Sequence, residues 1–232
     1  MSACIAPGDI GFTVDDEASE LGVRVAYNVY RGPKIGGLRR EILDDKLREV
    51  LGEVSRRYSL EGLKNHPVAR AYRDFYWRVG VDPTKTRPSG EALVRRALRG
   101  RFPRVNPIVD AGNMASALTL VPIGLYDLEK ASPPFRLTLS RGGEEFHPLG
   151  GKPRRLEPGL PILVDSRGTV MHLYPHRDSV HTALSESTRV VLAVAAGVPG
   201  VPGKLLVEAL RLLEEFLSPL SWRPCGSPLL AP

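Results

Sequence analysis

Three histidines, His172, His176 and His181, fall within ten residues of one another. Imidazole is well suited to proton transfer near neutral pH and is a common metal ligand. Spacings of four and five do not bring all three rings to one face of a regular strand or helix. We therefore predict no metal site. The sequence also lacks a P-loop, a dinucleotide fingerprint and other cofactor motifs, so no cofactor is expected.

The segment HRDS (176–179) follows a predicted strand and places a cation, a carboxylate and a hydroxyl next to one another. In a functional loop, Arg177 would donate hydrogen bonds into a pocket and Asp178 would orient a water. In a structural loop, the same two residues would form an ion pair in a charged turn. Both interpretations stay open, and a nucleophilic serine would also need a neighbouring base.

A second polar group surrounds a short apolar run. Asn106, Asp110 and Asn113 are spaced by four and three residues. These side chains either cap a helix and hold turns, or they line a pocket where a strand passes into a helix. In the second case we expect Asn113 to be a pocket donor and Asn106 a substrate ligand. Asp110 is then an alternative to Asp178 as the water-orienting carboxylate.

Positive charge is concentrated in one stretch of the chain. Residues 66–104 carry ten Arg or Lys against three acids, a net +7, whereas the whole chain carries +6. Clustered arginine is typical of proteins that bind a polyanion, because guanidinium groups contact phosphates in pairs. A solvated helix face is the alternative. The residues that we expect to contact RNA are Arg87, Arg95, Arg96, Arg99, Arg101 and Arg104.

The composition excludes several classes of protein. A hydrophobic fraction of 42% and a charged fraction of 25% exclude a disordered chain, a coiled coil and a collagen-like repeat. No apolar run approaches the roughly 20 residues that span a bilayer. The first ten residues also lack the basic start and apolar stretch of a secretory signal. We therefore expect a cytoplasmic protein without membrane contact.

The two cysteines, Cys4 and Cys225, lie near opposite ends of the chain. They are too few for a disulfide framework or a tetrahedral zinc site. A bridge between the termini is one interpretation. Because the cytosol is reducing, we expect free thiols instead.

The pattern of apolar residues predicts the elements that position these groups. Helical spacing predicts helices over 41–58, 66–79, 90–99, 111–119 and about 203–217. Alternating or β-branched runs predict strands over 21–30, 135–140, 161–165, 169–174 and 189–196. A helix-rich first part followed by a strand-rich second part indicates an α+β fold. We divide the chain into residues 1–64, a strand and helix packed onto the main domain, 65–217, the main domain, and 218–232, a loosely packed tail.

Four stretches of the sequence carry a resemblance to a known family. They are HPVARAYRDFYWRVGVDPTKTRPSGEALVRR (66–96), NPIVDAGNMASALTLVPIGLYDLEK (106–130), GGEEFHPLGG (142–151) and YPHRDSVHTALSEST (174–188). Their order and spacing resemble a free-standing B3/B4 domain, a module otherwise found in the beta subunit of phenylalanyl-tRNA synthetase. The resemblance extends over about residues 66–200. It implies an α+β fold with a mixed, barrel-like sheet and flanking helices.

In the synthetase, this domain contains an editing site that hydrolyses tyrosine mistakenly attached to phenylalanine tRNA. By resemblance, Asn113 matches an Asn of that site. Gly112 stands where the site usually has Thr, and Gly124 where it has His. The stretch with the editing Glu is replaced by residues 176–179, so the synthetase chemistry does not carry over as a whole.

Free-standing relatives match the chain better near the histidines. They tend to have the Arg, Ser and Thr that stand here as Arg177, Ser179 and Thr182, which implies that these residues contact the substrate. Those relatives usually have Trp at the position of His176, so His176 is not a family catalyst.

The residues and the resemblance together favour hydrolysis of mischarged aminoacyl-tRNA in trans. Asn113, Arg177, and Asp110 or Asp178 would form the catalytic group, and the partner would be tRNA or aminoacyl-tRNA. Two other functions stay open: a non-catalytic tRNA-binding module, and an amino-acid-binding protein without RNA.

Overall fold

The structure is a computed structural model that describes residues 4–231. Its α-helices are α1 (Asp16–Ser19), α2 (Asp44–Arg57), α3 (Pro67–Arg78), α4 (Ser89–Ala97), α5 (Pro107–Thr119) and α6 (Gly203–Leu217). Its strands are β1 (Phe12–Val14), β2 (Arg24–Arg31), β3 (Ile123–Asp127), β4 (Phe135–Leu139), β5 (Glu145–Phe146), β6 (Arg154–Arg155), β7 (Pro161–Val164), β8 (Val170–Leu173), β9 (Arg177–Asp178), β10 (Val190–Gly197), β11 (Arg223–Pro224) and β12 (Leu229–Leu230).

One antiparallel sheet forms the centre of the molecule. Its strand order is β11–β2–β10–β3, and β12 also pairs with β2. Every residue of β10 is buried, which explains why this strand is a continuous apolar run rather than an alternating one. α6 packs against β2 and β10, while α5 packs against α6 and β3. The strand β3 thus lies at an edge of the sheet, beside α5.

A second sheet has the order β1–β4–β7–β8–β9. β1 runs parallel to β4, and the other neighbours are antiparallel. In the β8–β9 hairpin, His172 lies directly opposite Asp178. Directly opposed residues of an antiparallel pair project from the same face of the sheet. The register of this hairpin therefore brings an imidazole and a carboxylate together.

The helix α4 is held close to its neighbours by two features. A Cβ atom on Gly90 would lie 2.3 Å from the carbonyl oxygen of Leu120, so this approach requires glycine. Glu91, 1% exposed, accepts hydrogen bonds from Arg73 Nε (2.6 Å) and Arg95 Nε (2.7 Å). Burial alone would raise the pKa of Glu91, but the two arginines outweigh it and lower the pKa. This paired carboxylate ties α3 to α4.

The C-terminal segment is packed onto the central sheet. β11 and β12 pair with β2, and Trp222 is 1% exposed. Cys4 and Cys225 form a disulfide, with their Cα atoms 5.5 Å apart. The expectations of a loosely packed tail and of free thiols are therefore wrong. The two cysteines are 221 residues apart in the sequence, and local sequence patterns do not predict that such distant segments meet beside β2.

The α+β class is confirmed. Within residues 4–231 the strands form three sheets and no closed barrel, the third sheet being the β5–β6 pair. Residues on both sides of the predicted boundary at 64–65 contribute to one hydrophobic core. The predicted helices and strands are present with shifted ends. The largest shift is in α5, which begins at Pro107 because Asn106 caps it.

None of the helices in the described part of the chain has the length and apolar composition needed to cross a membrane.

The disulfide leads to a stability prediction. Replacing Cys4 with Ser should lower the free energy of unfolding of the oxidised protein by about 2–4 kcal/mol, because the unfolded chain regains the freedom that the cross-link removes. Chemical denaturation measures this difference. With reductant present, the variant and the unchanged protein should unfold alike. Equal stability of the two oxidised proteins would contradict the prediction.

Candidate functional site

A cavity of about 150 Å³ lies between the two larger sheets. We call it the inner chamber. Its apolar walls come from both sheets, including Leu137 and Leu163 on one side and Val194 and Ala196 on the other. Cavities of this volume can hold a ring the size of benzene. The polar side chains that line the chamber are Ser89, Asn113, Ser116, Tyr126, His172, Tyr174, His176 and Asp178.

A contact between two titratable side chains in the chamber wall joins His172 to Asp178. His172 Nδ1 lies 2.8 Å from Asp178 Oδ1, and the Tyr126 hydroxyl donates to the same oxygen at 3.0 Å. Burial raises the pKa of Tyr126, so the phenol keeps its proton and remains a donor. A carboxylate that accepts from an imidazole Nδ1–H leaves Nε2 of that ring free to take a proton. This arrangement can activate a water as a general base.

Tyr126 also explains why residue 124 is glycine. A Cβ atom on Gly124 would lie 2.1 Å from the Tyr126 hydroxyl oxygen. Gly124 and Tyr126 are two residues apart on β3, so their side chains project from the same face of the sheet. The phenol therefore fills the space in which a histidine at position 124 would begin. Position 112 is less restricted, since a Cβ on Gly112 would lie 3.0 Å from Leu125 Cδ1.

The structure separates the three polar residues near α5. Asn106 is the N-cap of the helix, and its side-chain oxygen accepts from the backbone N–H groups of Ile108 and Val109. Asp110 accepts from Arg104 Nε (2.9 Å) and from the backbone N–H of Val105 (2.7 Å). Asp110 is not among the residues that line the chamber. Asn113, one turn further along the helix, does line it.

A groove of about 330 Å³ adjoins the chamber on this side. Asn113, Tyr126 and Asp178 border both spaces, and Asn106 and Ser179 border the groove alone. Ser179 is fully buried, and its hydroxyl accepts from the backbone N–H of His181. Thr182 is fully buried as well, and its hydroxyl has no partner in the described residues.

His176 lines the chamber but not the groove. Burial, together with the charges of His172, Arg177 and Arg154, lowers the pKa of His176 to about 3. The ring is therefore neutral at physiological pH. Its Nδ1 is buried and has no hydrogen-bond partner in the described residues.

Cationic side chains converge outside His176. They line a space of about 340 Å³, which we call the arginine recess. Its cations are Lys85, Arg87, Arg95, Arg96, Arg99 and Arg177. No acidic residue of the described chain lines it. Because like charges repel, this concentration of cations favours a polyanionic ligand.

The two remaining arginines of the predicted RNA-binding set lie elsewhere. Arg104 is held by Asp110 and by Asp44 (Nη2–Oδ1 2.9 Å). Arg101 is exposed and does not line the recess. The structure thus gathers Arg87, Arg95, Arg96 and Arg99 with Arg177, which lies distant from them in the sequence.

Sequence reasoning missed the pairing of His172 with Asp178 and the contribution of Tyr126. A short hairpin over 170–178 was the available signal for the pairing, since it limits the register of two adjacent strands. Tyr126 comes from the other sheet, so no local pattern relates it to Asp178. Within residues 4–231 no group of three or more His, Cys, Asp or Glu has the arrangement of a metal site.

Comparison with known proteins identifies two similarities. The sequence model described as "B3/4 domain" matches residues 71–203. The structure resembles a crystal structure of an N-terminal fragment of the phenylalanyl-tRNA synthetase beta subunit from Pyrococcus horikoshii, with a TM-score of 0.50 and 15% sequence identity. The alignment covers 96% of this chain and 54% of that one, so this chain spans about half of that fragment. At such identity the likeness shows the fold alone. No curated protein sequence matches the chain significantly.

The burial of His176 leads to a prediction about pH. Its pKa is about 3 in the folded protein and about 6.5 when unfolded, so between these values the unfolded chain binds one more proton. The free energy of unfolding should therefore fall as the pH is lowered. His176→Gln should remove about 1.4 kcal/mol per pH unit from this slope between pH 4 and 6.

Denaturation titrations at a series of pH values measure the two slopes. Between pH 7.5 and 8.5, plots of the free energy of unfolding against pH should be parallel for the His176→Gln variant and the unchanged protein. This range serves as an internal control. Parallel curves between pH 4 and 6 as well would show that His176 takes up a proton equally in both states, contrary to the prediction.

Proposed function

The chain belongs to the B3/4 domain family, and from this we propose that it binds aminoacyl-tRNA and hydrolyses mischarged molecules in trans. The fold resembles part of a synthetase that attaches an amino acid to tRNA, which makes the acylated end of a tRNA the natural substrate. The observation that carries the proposal is the hydrogen bond between His172 and Asp178 in the wall of the inner chamber.

In this proposal, the arginine recess is the surface that binds the phosphates of tRNA. Phosphates of a nucleic acid are bound mainly by Arg and Lys, which release condensed counterions. Arg87, Arg96 and Arg99 are exposed and can reach a phosphate without giving up a buried partner. Arg95 is held through its Nε by Glu91, which fixes the direction of its side chain. The recess and the chamber meet at His176, which lines both.

The chamber supplies the hydrolysis. His172 donates a hydrogen bond from its Nδ1–H group to Asp178 and accepts a proton from water at Nε2. The resulting hydroxide adds to the ester carbonyl carbon, and the Asn113 amide donates a hydrogen bond to the oxyanion. The tetrahedral intermediate then breaks its bond to the ribose oxygen. That oxygen takes the proton from His172, which releases the free amino acid and an intact tRNA.

The other residues of the site support this chemistry. Tyr126 and His172 together hold Asp178 through one of its oxygens. Arg177 is exposed and lines the arginine recess but not the chamber, and its Nη1 donates to the carbonyl oxygen of Leu149 (3.3 Å). In this proposal its guanidinium group holds the terminal phosphates of the tRNA. Asp178 acts on the water through His172 and not directly, and Asp110 has no part in this step because it is bound to Arg104.

Loss of the hydrogen bond between His172 and Asp178 should slow turnover. Asp178→Asn should lower the rate of deacylation by about 10²–10⁴-fold, because an amide no longer orients and stabilises the proton-carrying imidazole. Asn113→Ala should lower it by about 10²–10³-fold through loss of an oxyanion donor. The rate is the loss of labelled amino acid from a panel of correctly and wrongly charged tRNAs. Asp74→Asn, an exposed carboxylate on α3, is the matched control and should keep full activity.

The same assay separates the competing functions. If folded protein hydrolyses no ester in the panel above the rate in buffer, catalysis is rejected. Binding of tRNA without turnover would then identify a binding module. A co-purified amino acid without tRNA binding would identify an amino-acid-binding protein.

Substitutions in the arginine recess should change the salt dependence of tRNA binding. Arg96→Gln and Arg99→Gln should each weaken binding and reduce the slope of log K against log salt concentration by about one. Arg211→Gln, an exposed arginine on α6 that does not line the recess, should leave the slope unchanged. Filter binding between low and high salt measures these slopes. Equal slopes for all variants would place the phosphates elsewhere.

A further inference from the structure

A fourth space, beside the chamber and the recess, has a different character from both. It has a volume of about 520 Å³, more than three times that of the chamber. Its floor is apolar and includes Val79, Val81 and Leu160, whereas Lys85, Arg154 and Arg177 contribute cations to its rim. We call this space the apolar cleft. An apolar floor beside cations suits a ligand with a flat ring attached to an anion.

The apolar cleft is continuous with the site already described. Lys85, Thr86, His176 and Arg177 line both the cleft and the arginine recess. Tyr174 and His176 line both the cleft and the inner chamber. One extended ligand can therefore occupy the recess and the cleft at once, with its end directed at the chamber.

The charges around the cleft fit such a ligand. Asp82 is the one acid among the described residues that line it. The Asp82 carboxylate already accepts from the backbone N–H (2.8 Å) and hydroxyl (2.7 Å) of Thr84. His176 is neutral, because burial lowers its pKa to about 3. It thus presents an aromatic ring without adding a cation.

We propose that the apolar cleft binds one unpaired base of single-stranded RNA, stacked on His176, while the neighbouring phosphates lie in the arginine recess. Proteins that bind single strands combine a cationic groove with flat side chains on which bases stack, and histidine rings and arginine planes both serve this purpose. A base within a duplex is covered on both faces and cannot enter the cleft. The inference deepens the proposed function, because it rests on tRNA as the ligand and assigns the unpaired 3′ end to this cleft.

Binding of uncharged RNA tests the inference without any hydrolysis. The probe is an RNA stem-loop with four unpaired nucleotides at its 3′ end, together with four versions that each lack one of those bases. One abasic version should bind the unchanged protein about 5- to 150-fold more weakly, which corresponds to 1–3 kcal/mol of stacking. A blunt-ended stem-loop should show a loss at least as large.

Variants at position 176 locate the base. The His176→Leu variant should bind the complete probe more weakly than the unchanged protein does, by the same factor as the abasic version. This variant should then bind the abasic version and the complete probe with equal affinity. His176→Phe keeps a flat ring and should retain affinity. His181→Leu, which removes an exposed imidazole outside the cleft, is the matched control and should bind like the unchanged protein. The abasic probes leave the protein unaltered, so they test the inference even where a variant does not fold.

Each outcome decides a separate question. Equal binding of all abasic probes overturns the inference, and if that binding still weakens with salt, the proposed tRNA binding survives. Independent losses from the abasic probe and from His176→Leu show that the base lies elsewhere, which also overturns it. If adenosine monophosphate, at the same concentration as the probe, displaces the probe fully, the cleft is a mononucleotide site and the inference is overturned. No binding of any RNA rejects both the inference and the proposed function.

Discussion

The antiparallel register of the β8–β9 hairpin is the constraint on which the site depends. It places His172 opposite Asp178, and Tyr126 reaches the same carboxylate oxygen from the other large sheet. One oxygen atom thus links the two sheets at the wall of the cavity between them. A shift of one residue in this hairpin would turn His172 to the opposite face, and both the hydrogen bond and the polar wall of the chamber would be lost.

The electrostatic design of the molecule separates cations that stabilise the fold from cations that remain available. Arg73 and Arg95 compensate the buried Glu91, and Arg104 compensates Asp110. Arg96 on α4 and Arg99, just beyond the end of that helix, line a recess without acids in the described chain. The buried pairs fix α4 against α3, so the exposed arginines are presented in a defined direction. A neutral His176 separates this positive surface from the chamber.

The chain belongs to the B3/4 domain family and shares its fold with part of a synthetase beta subunit. Tyr126 occupies the volume next to Gly124, which leaves no room for a residue with a side chain there. The chemistry that we propose therefore rests on His172, Asp178 and Asn113. The proposed roles are inferred from the contacts in this molecule, whereas the proposed substrate class is inferred from the family.

Local patterns in the sequence determined much of the fold: the α+β class, most helices and strands, and the basic stretch at 66–104. These depend on interactions between residues that are close along the chain, such as the helical spacing that places Glu91 and Arg95 together. The site, the disulfide and the division of the arginines into paired and free depended on tertiary structure. Cys4 meets Cys225, Tyr126 meets Asp178 and Arg104 meets Asp44 across long separations. Such contacts follow from how sheets and helices pack, because the periodicity of one segment carries no information about which distant segment will face it.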